Sequence, residues 1–493
     1  MHYTFSVYQL SDIIEMRNPP SSQPESSPNS TCLLRTCVEE PSDTLIEAEH
    51  ELTQRLTLTA GTRAVLPSDS LSVSELVDLT LPTISSVIPP VKPELCFSNH
   101  PPTESVTIYR SRPVPPASFV EGLRNVSRQA MLNGKLSIMD WTRKNSMSFF
   151  SFELIEFWSS LADIVHARQE WEAAFQWLEE TAQDDPRLSK EVHEVRLILQ
   201  TTPWKANLQI LRSRLPFHKM ATFLSNSWLS SSQIDMSLSS MAVHQLRISG
   251  DQEKCRYLIG TTVLSELLTS SPLLHNKDST HDALPHHSYT LHAPRDLRHA
   301  GAHLARYQPD AGDEVVFIAY SPPSHWAAVS ITSKGILEWA DSLGRRPPST
   351  LVTGVQSWLR YHLMSSSFTL GNNFPCSRQT DSYSCGIIAL NAIKHRIFGN
   401  VLWCEENRSQ LRIREFLDIM RLCGNIGGQK VRYTTFWLSM LRLMAFPCIR
   451  DMSLHLLAQP MILRAQHLNA LHVLSVPHCP QLLHIPCIHR SQL

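Results

Sequence analysis

A histidine, an aspartate, a glutamine and a cysteine follow one another in the C-terminal half of this 493-residue chain in an order that suits thiol catalysis. They are His325 in Ser324-His325-Trp326, Asp341 in Trp339-Ala340-Asp341-Ser342-Leu343, Gln379, and Cys385 in Asp381-Ser382-Tyr383-Ser384-Cys385-Gly386. A thiol is a useful nucleophile at neutral pH only when a base or a positive local field raises its thiolate fraction. An imidazole serves as that base, a carboxylate orients the imidazole, and an amide beside the cysteine N–H receives an oxyanion. Taken singly, Cys385 reads as a buried core thiol, His325 as a strand-end residue and Gln379 as a loop amide; the ordered set points to catalysis. Asp381 reads as a turn residue, Trp339 and Trp358 as core, and Cys376 as a bystander without a partner motif.

The surrounding pattern supplies elements to position these groups. Glu314 to Tyr320, Trp326 to Ile331 and Gly335 to Trp339 read as consecutive short strands separated by turn residues. Leu351, Val355, Trp358, Leu359 and Leu363 fall on one face of a helix, with Ser349 as its expected N-cap. Phe368 to Leu370 suits a further strand. The apolar run after Ser384 reads as a buried helix with Cys385 in its first turn, where the helix dipole and free N–H groups favour a thiolate.

Elsewhere the chain is uneven. Residues 1 to about 117 are Ser-rich, hold 15 of the 32 prolines, and are expected to be a disordered tail. From 118 to 215 the pattern is helical, with Leu154, Trp158, Leu161 and Val165 on one stripe, and its role is open. The insertion 270–305 carries His275, His281, His286, His287, His292, His299 and His303, but no cysteine and no convincing helical His pair, so a solvated loop is expected rather than a metal site. Residues 430–493 show no clear period and are expected to form an irregular tail. A net charge of −1 gives no argument for nucleic acid. Eleven scattered cysteines without a C-x-x-C pair suit reduced thiols, and the chain shows neither a secretory signal nor a run of 18 apolar residues. An intracellular location, nucleus or cytoplasm, is the expectation.

The stretch from His325 to Phe398 resembles the catalytic core of the Ulp/SENP-type cysteine proteases, which process and remove ubiquitin-like modifiers, chiefly SUMO. Their pattern is a His-Trp pair, an Asp-Ser-Leu on the next strand, and a Gln followed after five residues by Cys-Gly opening a helix. Trp228-Leu229 is similar to the family segment that opens the domain, so the likeness covers roughly 218–425. It implies an α+β, papain-like cysteine protease domain with a central mixed sheet flanked by helices. It also implies Cys385 as nucleophile, His325 as base and then acid, Asp341 as orienting carboxylate, and Gln379 as oxyanion donor. Trp228 and Trp326 match the rings that clamp a Gly-Gly tail, and flat rings admit only residues without side chains. A SUMO-type modifier and its protein conjugates are the implied partners, with no cofactor, nucleic acid or membrane. Ser231 stands where the family usually has an acidic residue, which leaves the choice of modifier open. Other readings are a protease for another ubiquitin-like modifier or a mobile-element polyprotein, and a modifier-binding module without catalysis.

Overall fold

The computed structural model describes residues 43–428 except 141–147, 251–254, 272–273, 275–288, 290–291, 307–311, 364–367 and 373. The expected tail at 430–493 and much of the His-rich stretch lie outside the described residues. The described residues divide into two compact units: 43–66 together with 81–163, and 67–80 together with 164–428.

In the first unit, α1 (Asp43–Leu56) and α2 (Ala60–Val65) precede the site of a small antiparallel sheet. Helix α3 (Val73–Asp78) belongs to the second unit and is closed by a capping box between Ser72 and Glu75. The small sheet has the order β1 (Phe97–Ser98), β2 (Ser137–Met139), β3 (Phe149–Phe150), and α4 (Ala117–Leu132) lies between β1 and β2 in sequence. Phe97 stacks on Phe152 at 5.5 Å, and Tyr109 meets Phe150 at 5.9 Å and Phe157 at 5.3 Å. The expectation of disorder through residue 117 therefore fails from Asp43 onward. Cys96, Phe97, Tyr109 and Val114 of that stretch are buried, with Phe97 and Tyr109 against aromatic partners distant in sequence that local composition does not register.

The boundary between units falls within α5 (Glu153–Asp184). Helix α6 (Ser189–Thr201) and a hairpin of β4 (Asn207–Ile210) and β5 (Ser213–Pro216) follow, so 118–215 is not helical throughout. Nor does the second unit begin at 218. Trp171 of α5 packs on Phe217 at 5.2 Å and Phe217 on Phe416 at 6.4 Å, which draws the later part of α5 into the same core. Arg421 makes a bidentate pair with Glu194 of α6 at 2.9 and 2.8 Å.

The rest of this unit is α7 (Ser231–Ser249), β6 (Tyr257–Ile259), α8 (Thr262–Ser270), α9 (Arg295–Arg306), β7 (Glu314–Ser321), β8 (His325–Thr332), β9 (Ile336–Ala340), α10 (Ser349–His362), β10 (Thr369–Gly371), α11 (Cys385–Phe398) and α12 (Arg408–Gly428). Its five-stranded sheet has the order β10-β9-β8-β7-β6. The inner pairs β7–β8 and β8–β9 are antiparallel and the outer pairs β6–β7 and β9–β10 parallel, so the α+β expectation of a mixed sheet flanked by helices holds. Strands β7 and β8 read as continuous apolar runs because both faces are covered. Val315, Phe317, Val329 and Ile331 share a core with Leu264, Leu297, Leu351 and Trp358 of α8, α9 and α10. Helix α11 packs on β7 and β8. Helix α9 is a further correction to the solvated loop: Leu297, Ala300 and Leu304 are buried at i, i+3 and i+7. The expected cap Ser349 is instead the first helical residue, with Pro348 at the N-cap.

Register explains why the site gathers at one end of this sheet. Ala340 pairs with Ala328 across antiparallel strands, so the start of β8 and the residue after β9 lie at the same end. The opposite end of α11 is anchored by Arg396, whose guanidinium bridges Glu314 at the start of β7 (2.9 Å) and Glu338 of β9 (2.6 Å). Lys394 ties α11 to Glu415 and Asp418 of α12 at 2.6 and 2.9 Å. Removing one partner of such a buried pair leaves an uncompensated charge, so these contacts fix where the helix, and hence Cys385, can sit.

Candidate active site

Cys385 is 2% exposed and opens α11, with Ser384 at the N-cap. The turn before it is braced by Asp381, whose carboxylate accepts from the N–H of Tyr383 (3.0 Å), the N–H of Ser384 (2.7 Å) and the Ser384 hydroxyl (2.6 Å). Asp381 is thus the turn residue expected of it, and its carboxylate is spent on holding the nucleophile's turn.

His325 begins β8 and is buried. Its Nε2 meets Asp341 Oδ1 at 3.0 Å, which leaves the other ring nitrogen for the Cys385 thiol, whose influence also raises the imidazole. Burial works against the imidazolium, yet the Asp341 and Cys385 contacts outweigh it and push His325 up to about 9. Asp341 is held below the usual carboxylate range: burial raises it, but the hydrogen bond and charge of His325 and the backbone N–H of Leu343, at 2.6 Å from Oδ1, prevail. A charged imidazole between a carboxylate and a thiol is the arrangement that sustains a thiolate at neutral pH.

Gln379 is joined to both halves of this constellation. Its Oε1 accepts from Ser342 Oγ at 2.6 Å, its backbone N–H donates to the Ser342 carbonyl at 3.2 Å, and its Nε2 donates to the Asp381 carbonyl at 3.0 Å. The amide is thereby turned with its nitrogen toward the loop that carries Cys385. Ser342, the residue after Asp341, was not singled out from the sequence as a functional residue; the Asp-Ser pair is its only signal there.

Trp326 is 8% exposed and its indole N–H donates to the Leu229 carbonyl at 2.8 Å, whereas the neighbouring Trp228 is 44% exposed. The two tryptophans are therefore joined through the 228–229 segment, with Trp228 presented to solvent and Trp326 holding the segment in place. Gly386 explains the Cys-Gly pair: a β-carbon there would stand 3.2 Å from Leu229 Cβ and 3.3 Å from Ile234 Cδ1. Gly386→Ala is expected to destabilise the unit by about 1–3 kcal/mol through overpacking, read as a fall in the midpoint of thermal unfolding. An unchanged midpoint would show that the Leu229 segment yields freely.

Cys376 is partly buried, and burial pushes its thiol up to about 12, consistent with a bystander. No group of three or more His, Cys, Asp or Glu residues suited to a metal occurs among the described residues, and none of the described helices is long and apolar enough to cross a membrane.

Searches of protein-family models and of curated proteins find no match to this chain. Among solved structures it is similar to the yeast C-terminal Ulp1 protease domain in complex with Smt3, at 15% identity and a TM-score of 0.32 over 47% of this chain and 93% of that one. It is also similar to the Chaetomium thermophilum Ulp1-like SUMO protease catalytic domain, at 17% identity and a TM-score of 0.32 over 43% and 79%. The Xanthomonas campestris effector XopD bound to ubiquitin follows at 18% identity and a TM-score of 0.25 over 38% and 90%.

Proposed function

We propose that this chain is a cysteine peptidase or isopeptidase that cleaves after the Gly-Gly terminus of a ubiquitin-like modifier, with a SUMO-type modifier as the first candidate substrate. The observation that carries the chemistry is the buried Cys385–His325–Asp341 relay at the N-terminus of α11. The Cys385 thiolate attacks the carbonyl carbon of the terminal glycine, and the oxyanion is received by the Cys385 N–H and the second amide hydrogen of Gln379. The His325 imidazolium gives its proton to the departing amine. Water then attacks the thioester, losing its proton to His325, and frees the thiolate and a carboxylate product. Asp341 keeps the ring oriented and its charge balanced in both halves.

The modifier class is supported by the motif set His325-Trp326, Asp341-Ser342-Leu343 and Gln379 with Cys385-Gly386, and by the exposed Trp228, whose neighbour Leu229 is held by the Trp326 indole. A tail lacking side chains is the one that passes between such rings. Trp228→Ala is expected to raise KM for a modifier precursor by about tenfold, the size of one truncated aromatic contact, while iodoacetamide still alkylates Cys385 at the wild-type rate. Cleavage of a precursor whose Gly-Gly is changed to Ala-Ala as fast as the parent would refute the Gly-Gly assignment. Binding of a modifier without turnover would favour the non-catalytic reading.

A further inference from the structure

Arg412, on α12, is fully buried, and among the described residues no carboxylate pairs with it. Its guanidinium is held by main-chain carbonyls: Nη1 donates to Thr222 at 3.1 Å, and Nη2 to Ser227 at 2.8 Å and, more weakly, to Tyr383 at 3.5 Å. The carbon of the guanidinium lies 5.4 Å from the centre of the Tyr383 ring. Nε has no partner among the described residues. Ser227 directly precedes Trp228, and Tyr383 stands two residues before Cys385. A cation is costly to bury, and a hydrophobic side chain of similar volume would fill the same space without that cost. Its burial without a counter-charge therefore calls for a reason beyond packing.

We propose that Arg412 is a positioning residue for the nucleophile: it ties the turn before Cys385 to the segment before Trp228 and places a fixed positive charge against that turn. The inference rests on Cys385 being the nucleophile. The charged and titratable groups whose charge acts on the guanidinium are Tyr383, Asp381, Arg408 and Cys385, of which Tyr383 is in direct contact. Asp381 is already engaged by the turn it braces, and Arg408 by Glu405. Burial lowers Arg412 to about 10, so it stays charged at neutral pH. At low local dielectric an unscreened cation acts on a neighbouring thiolate more strongly than the same charge at the surface.

The test is the pH dependence of iodoacetamide alkylation at Cys385 in the full chain, followed on the Cys385 peptide by mass spectrometry so that other thiols do not contribute. Arg412→Met is expected to move the alkylation profile about one unit toward higher pH, the size of effect one nearby charge exerts. Arg412→Lys, which keeps the charge, is expected to restore the profile. If Arg412→Met does not fold, Arg412→Gln supplies the same charge-free comparison with two N–H donors retained. A wild-type profile in either folded charge-free variant overturns the proposal, as does a Lys variant shifted as far as Met. Because the readout is alkylation, it stands apart from the substrate assignment: a wild-type chain that cleaves no Gly-Gly substrate but shows the Arg412-dependent profile refutes the Gly-Gly assignment and leaves this one intact.

Discussion

Cys385→Ser is expected to abolish turnover of a Gly-Gly-terminated modifier precursor, by at least about 10⁴-fold, while binding of that precursor is retained. The hydroxyl is nearly isosteric and can take the thiol's place, so the loss isolates nucleophilicity from packing. The thiol works because His325 stabilises the anion it leaves, whereas a serine hydroxyl, with a far higher intrinsic pKa, gains too little from the same neighbour. Because Cys385 is buried at the start of α11, the substitution leaves the exposed surface unaltered. The check is steady-state cleavage alongside a binding isotherm. Residual cleavage near the wild-type rate would remove Cys385 from its assigned role.

The second large effect is expected of Asp341→Asn. Asn Oδ1 can still accept from His325 Nε2 and from the Leu343 N–H, so the local geometry is kept and only the charge is lost. Without that charge the His325 value falls from about 9 toward its ordinary 6.5, and the imidazolium–thiolate pair gives way to neutral partners within the physiological range. A loss of about 10²-fold or more in kcat/KM at pH 7.5 is expected, and the alkaline limb of the pH–rate profile moves to lower pH. The same shift has a stability consequence. His325 is raised in the folded chain, so the stabilisation of its charged form is complete below about pH 6.5 and is lost as pH rises through about 9. The Asn variant lacks that contribution, so its thermal midpoint is expected to fall most on the acidic side. A pH–rate profile superimposable on wild type would contradict the role given to Asp341.

How far these features were legible follows from where each signal resides. The strands around His325 and Asp341 were readable because β7 and β8 are apolar runs cut by Ser321-Pro322-Pro323 and by Ser333-Lys334-Gly335, and the observed strands Glu314–Ser321, His325–Thr332 and Ile336–Ala340 differ from the sequence reading by one or two residues at their ends. Cys385 in the first turn of a buried helix followed from the apolar run after it. The packing of 43–117 was hidden because Phe97 and Tyr109 are buried by Phe150, Phe152 and Phe157, and windowed composition does not see partners that far along the chain. The start of the site-bearing unit was missed for the same reason: Trp171, Phe217 and Phe416 form one contact chain across 245 residues of sequence. Arg412 carried no signal at all, since an arginine on a helix rich in charged residues reads as solvent-facing. In α9, Leu297, Ala300 and Leu304 already carry a helical spacing, interleaved with the polar His299 and His303 that make the stretch read as a loop.

The most direct measurement is covalent trapping of the purified chain with a panel of ubiquitin-like modifiers bearing C-terminal electrophilic warheads, with Cys385→Ala as the control. An adduct with one modifier, mapped to Cys385 and absent from the alanine variant, is the predicted result and identifies the substrate class together with the nucleophile. A folded protein that forms no adduct with any member of the panel, or one whose adduct survives in Cys385→Ala, would contradict it.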